Sequence, residues 1–174
     1  MKKMAFVLFI LVASFAHTIE LWNGFTTDMT LEQFLDRAHT MLSPRNLYQG
    51  EGYGIPSSTR PAHDGYGYPR NLIRVRFDAD IQVYGNVFTY ASVTAYFFNG
   101  KLFFLTLMSN ALSERDALLR IARERHGTPQ RTLPIMQGNA YYWRLPGIDL
   151  YSDSVSLVFV DRTAREQWLL TADD

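Results

Sequence analysis

Between Ile73 and Val83 every odd position is apolar and every even one is polar: Ile73, Val75, Phe77, Ala79, Ile81 and Val83 against Arg74, Arg76, Asp78, Asp80 and Gln82. A period of two predicts a strand with one buried and one wet face. Gly85-Asn86 and Asn99-Gly100 are two-residue hairpin turns. They delimit three antiparallel strands, over about 72–84, 87–98 and 101–108. Turns set register, so Tyr84 is expected opposite Val87, Val75 opposite Tyr96, and Tyr96 opposite Phe103. Tyr90, Tyr96 and Phe103 then share a face with Val75 and Phe77, while Phe97, Leu102, Phe104 and Met108 take the other. The third strand is covered on both sides, and the first is an edge or a solvent-facing flank.

Two segments carry helical spacing instead. Leu31, Phe34, Leu35, Ala38, Met41 and Leu42 form one apolar stripe. Thr30 with Gln33 makes a capping box, and Pro44 stops the helix. Further on, Ala117, Leu118, Ile121 and Ala122 make a second stripe, with Ser113 and Asp116 as its capping box and Gly127 as its C-terminal cap. Three short strands follow, Ala140 to Leu145, Ile148 to Tyr151 and Val155 to Val160, with Trp143, Leu157 and Phe159 in the core. Residues 162–170 are ambiguous. The chain therefore reads as α+β: two helix-plus-three-stranded antiparallel meander units, spanning 17–110 and 111–174, in an order that suggests a structural duplication and forming either one compact domain or two related subdomains. Leu31, Phe34, Leu35, Val75, Phe77, Tyr96 and Phe103 are expected inside.

The first 16 residues are of another kind. Lys2-Lys3 is followed by an apolar run from Met4 to Phe15, and Ser14-Phe15-Ala16 has the small-x-small pattern of a cleavage site. This predicts a secretory signal peptide at 1–16, since the run is short of the roughly 20 residues of a spanning helix. Its removal takes both lysines and leaves 15 basic and 17 acidic groups, with Lys101 the sole lysine. Such a balance offers no case for nucleic acid. The absence of cysteine excludes disulfides and thiol chemistry and fits a bacterial cell envelope better than a disulfide-built secreted scaffold.

The stretch Phe25-Thr26-Thr27-Asp28-Met29-Thr30-Leu31-Glu32-Gln33-Phe34-Leu35 resembles the helix-start motif of the β-lactamase-inhibitor-like fold, seen also in small lipoproteins of outer-membrane assembly. Met29-Thr30 matches that motif's Met-Thr, and Gly127-Thr128-Pro129 matches its glycine-x-proline step after a helix. Asp28 stands where the motif has glycine, Ser43-Pro44 ends the first helix without that step, and the lipid-acceptor cysteine is missing. The resemblance implies a non-catalytic envelope protein that works by binding other proteins.

Candidate chemistry is sparse. Residues 48–70 are rich in Gly, Tyr and Pro without periodicity and predict a long surface loop. Tyr48, Tyr53, Tyr66 and Tyr68, with His63 and Asp64, are its candidate binding residues, because tyrosine offers contact area at small entropic cost and loops carry function. Ser57 and Ser58 beside His63 allow a hydrolytic arrangement, but no nucleophile elbow is present. His39 and Asp36 have i, i+3 spacing without the further ligands that zinc wants, so no metal or cofactor is expected. Asp78 and Asp80 on one wet strand face read as a charge ladder with Arg74 and Arg76. Arg115, Arg120, Arg123 and Arg125 on the second helix alternate with acidic residues and read as a solvated face. The function expected is an exported, non-enzymatic envelope protein that binds a protein or envelope component. A small outer-membrane β-barrel and a hydrolase with its site in 48–70 are the alternatives.

Overall fold

A computed structural model describes residues 18–51, 72–111, 114, 116–135 and 138–171. The expected signal peptide lies outside the described residues, as do Tyr53, Ser57, Ser58, His63, Asp64, Tyr66, Tyr68 and Ser113. The chain is α+β. A short hairpin, β1 (Glu20–Trp22) and β2 (Phe25–Thr26), precedes helix α1 (Leu31–Leu42). Strands β3 (Arg45–Glu51), β4 (Leu72–Val83), β5 (Asn86–Phe98) and β6 (Lys101–Met108) follow. Helix α2 (Ala117–His126) leads into β7 (Arg131–Ile135), β8 (Gly138–Arg144), β9 (Ile148–Ser152) and β10 (Ser156–Asp161). Helix α3 (Arg162–Thr171) continues directly from β10.

The eight longer strands form one sheet in the order β3-β4-β5-β6-β10-β9-β8-β7, antiparallel throughout. Among the described residues its end strands β3 and β7 do not pair with each other, so the sheet is open rather than the closed cylinder of the barrel alternative. Each meander has four strands, not three. β3 begins before the loop expected over 48–70 and runs into it, and Asn46, Gln49 and Gly50 break any alternation that would mark it. β7 was hidden by Pro134, which an edge strand tolerates. The first strand of the expected set, β4, is consequently not the edge.

Helices cover both faces. On the first face, Phe34 and Ala38 of α1 and Leu118, Ile121 and Ala122 of α2 join Val75, Phe77, Leu105, Leu150 and Phe159 in the main core. Phe34 sits at its centre, with its ring 5.0 Å from Phe25 and 5.4 Å from Phe97. On the second face, Trp168 of α3 packs 6.1 Å from Phe103, in a smaller cluster with Tyr96, Phe104, Tyr151, Val158 and Val160.

The expected capping box of α1 is present, with Thr30 Oγ1 accepting from Gln33 N–H and Gln33 Oε1 from Thr30 N–H. The box expected for α2 involves Ser113, outside the described residues; the helix has Asp116 as its N-cap, at φ 65°, without a side-chain cap bond. Gly127 does cap its end, donating to the Arg123 carbonyl at 2.8 Å.

The register differs from expectation in a way that decides which face Tyr96 takes. The β4–β5 turn is Tyr84-Gly85, both at positive φ (46° and 89°), so Val83 faces Asn86. A bulge then sets Thr89 and Tyr90 against Asp80, and Val75 ends up opposite Ala95. A second bulge between Tyr96 and Phe97 leaves Phe103 unpaired on β6 and sets Tyr96 against Phe104. Because one residue of slip exchanges faces, Phe97 and Leu102 enter the main core, and Tyr96 and Phe103 lie under α3. Tyr90 is expelled to solvent.

Candidate functional site

One lateral row of direct cross-strand partners spans the whole sheet: Tyr48, Arg76, Thr94, Thr106, Val158, Tyr151, Tyr142 and Arg131, from β3 to β7. It lies on the second face. Helix α3 buries the stretch at Val158 and Tyr151. At the β3–β5 end Tyr48 and Arg76 are exposed.

Tyr48 is 48% exposed at that end. Its ring lies over Gly50, where a Cβ would collide with the tyrosine hydroxyl, and the Arg74 guanidinium stands 5.2 Å from its centroid. Arg76, exposed, reaches across to β5 and donates from Nε to Ser92 Oγ at 3.0 Å. Thr106 Oγ1 is buried without a hydrogen-bond partner at the midline of the same row.

The bulge places a second tyrosine on this surface. Tyr90 is 63% exposed and holds φ 53°, a region non-glycine residues seldom enter. Three neighbours hold it there. Its N–H donates to Asp80 Oδ1 at 2.9 Å, its carbonyl accepts from Asn110 Nδ2 at 2.7 Å, and the Arg45 guanidinium lies 4.2 Å above its ring. Arg45 also pairs with Asp80 at 2.8 Å. The Tyr90 N–H first, and then Arg45, hold the Asp80 carboxyl below its ordinary value. Asp78 accepts instead from Asn46 Nδ2 at 2.9 Å. The charges of β4 are thus met across strands, not by the ladder along β4 that alternation suggests.

At the other end of the row, Asp149 is a nearly buried carboxylate, its side chain 2% exposed. Its Oδ1 accepts from Arg162 Nε at 3.0 Å and from the Tyr142 hydroxyl at 2.9 Å, and its Oδ2 meets Arg165 Nη1 at 2.9 Å. Arg165 also donates to the Tyr151 hydroxyl at 2.8 Å. Burial, first, and then the Asp149 bond raise the Tyr142 phenol above its ordinary value. Burial likewise raises Tyr151 and Tyr96. These phenols stay protonated as hydrogen-bonding groups.

Of the candidate binding residues in 48–70, Tyr48 alone lies among the described residues, and it is exposed. The sequence reading missed Tyr90, whose exposure follows from a bulge, and Arg45, which belongs to the unrecognised β3. His39 is exposed on α1. On α2, Arg120 pairs with Glu124 at 3.4 Å, while Arg123 and Arg125 cover the rings of Tyr141 and Tyr84. Among the described residues, no three histidine, aspartate or glutamate side chains gather around a point where a metal ion could sit, and no helix is long and apolar enough to cross a membrane. In comparisons with known proteins, no family model matches the chain, and no curated protein or solved structure matches it.

Proposed function

We propose that the chain is an exported protein of the bacterial cell envelope that works by binding another protein, through the β3–β5 half of its second sheet face. The carrying observation is Tyr90. A bulky residue at positive φ costs on the order of 1 kcal/mol or more, yet here three separate contacts hold it with its ring turned to solvent. Tyr48, Arg45 and Arg76 surround the same surface, and tyrosine with arginine is the composition that dominates binding energy at protein interfaces. The apolar leader at 1–16 supports export. The succession of α1 with β3–β6 and α2 with β7–β10 supports descent from a repeated helix-plus-meander unit.

The test places a photo-crosslinking residue in cells at Tyr48, at Thr94 and, as a control on α2, at Glu124. One adduct of the same mass is expected from the first two positions, absent from the third and weakened by Tyr90→Ala. No adduct at either position, or the same adduct from Glu124, sinks the reading. Recovery of the uncut chain from the cytosol sinks the export half of it separately.

A further inference from the structure

At the far end of the sheet, two arginines of the second face have no carboxylate partner among the described residues. Asp149 is shared by Arg162 and Arg165 of α3, and both of its oxygens are taken, one of them twice. Arg144 stands directly opposite Asp149 in the β8–β9 pair, yet forms no ion pair with it. Arg131, opposite Tyr142, lies 6.0 Å from the centre of that ring. Both Arg131 and Arg144 are exposed, and among the described residues neither has a carboxylate partner. Other carboxylates of this half are engaged elsewhere: Asp153 accepts the Val155 and Ser156 N–H groups, and Asp161 accepts the Ala164 N–H at the start of α3. Glu166, exposed on α3, forms no ion pair among the described residues. One further donor is unused, since Arg165 Nε is buried without a partner.

We propose that this cluster is a binding site for a multiply charged anion of the phosphate class, gripped by Arg131 and Arg144 over Tyr142. Strand geometry sets the two arginines as diagonal neighbours on one face, within reach of a common ligand. Guanidinium forks match the oxygens of a phosphate group, and Arg162 and Arg165 add positive potential from the helix side. Asp149 holds the helix arginines and so leaves the strand arginines to the ligand. The site does not rest on the protein-binding reading, because it uses none of the residues of the β3–β5 surface.

Calorimetric titration of the purified protein with inorganic pyrophosphate, and flotation with vesicles of phosphatidylcholine alone or mixed with phosphatidylglycerol, test it. Arg131→Gln and Arg144→Gln, made singly and together, are compared with Arg120→Gln on α2. Each single variant alters an exposed side chain, so the pair need not be folded for the singles to report. Saturable binding is expected, weakened about tenfold by each single variant and unchanged by Arg120→Gln, as loss of one charge-assisted hydrogen-bonding group predicts. Pyrophosphate binding without flotation identifies a free phosphate compound, and flotation with the anionic vesicles identifies a lipid headgroup. Binding of neither probe, or an equal loss with Arg120→Gln, overturns the proposal.

Discussion

His126 joins the end of α2 to the tip of the β4–β5 hairpin. Its Nε2 lies 3.0 Å from the Tyr84 hydroxyl, and the two rings meet edge to face at 5.6 Å. This contact helps hold Tyr84 at its positive φ in the turn. Burial, and next the charge of Arg125, keep the imidazole below its ordinary value of 6.5. The unfolded chain therefore takes up this proton first as the pH falls. The contribution to stability is present above about pH 6.5 and is lost progressively below it. Urea midpoints measured from about pH 7.5 to about pH 5.5 should fall, and should fall less in His126→Gln. An equal fall in both proteins would assign the acid sensitivity to other groups. At the opposite extreme, burial raises the Tyr84 phenol above its ordinary value. Its contribution is present below about pH 10 and is lost as the pH rises past the folded value.

At the scale of elements, the two helices of the main core begin differently, and the difference is measurable. Thr30 satisfies a free backbone N–H of α1, so Thr30→Ala should lower stability by about 1 kcal/mol. Asp116 makes no such bond and holds φ 65°, where glycine is at ease, so Asp116→Gly should leave stability unchanged or raise it by about 0.5 kcal/mol. Urea unfolding of both variants decides, and a comparable loss in both would mean that Asp116 caps α2 after all. The contrast also shows what was legible in the sequence. α1 and β4 to β6 could be read because local pattern and tertiary burial agree there. The elements that escaped are those whose identity depends on a neighbour. β3 and β7 are edge strands, defined by pairing on one side. α3 is recognisable once Trp168 has Phe103 to pack on. The face of Tyr96 depended on a turn one residue earlier than Gly85-Asn86 and on two bulges, which hydrophobic alternation does not encode. The candidate surface was legible only at Tyr48, because Tyr90 acquires its role from a bulge and from Arg45 and Asn110, distant in sequence, and Arg131 from the unrecognised strand β7 that sets it opposite Tyr142.

At the scale of the whole molecule, the two meanders are joined through two strands buried along most of their length, β6 and β10. β6 pairs with β10 from Ser156↔Met108 to Val160↔Phe104. Leu105, Leu107, Leu157 and Phe159 are at most 1% exposed on the first face of that seam, and Phe104, Val158 and Val160 at most 2% on the second. Helix α3 fastens it from one side, with Trp168 on Phe103 of β6 and Arg162 on the carbonyls of Leu145 and Ile148 beside β9. A meander taken alone would present this apolar strand as an unpaired edge, which is an aggregation template. The two expected units, 17–110 and 111–174, should therefore not be independently stable. Expressed separately they should be insoluble or unfolded, and co-expressed they should reassemble. The intact chain should lose near- and far-ultraviolet circular dichroism in one coincident urea transition, as a single cooperative unit does. Two separated transitions, or a soluble folded 17–110 fragment, would show instead that the seam is an interface between two domains, and that the surface around Tyr90 can be studied without the arginine cluster across the sheet.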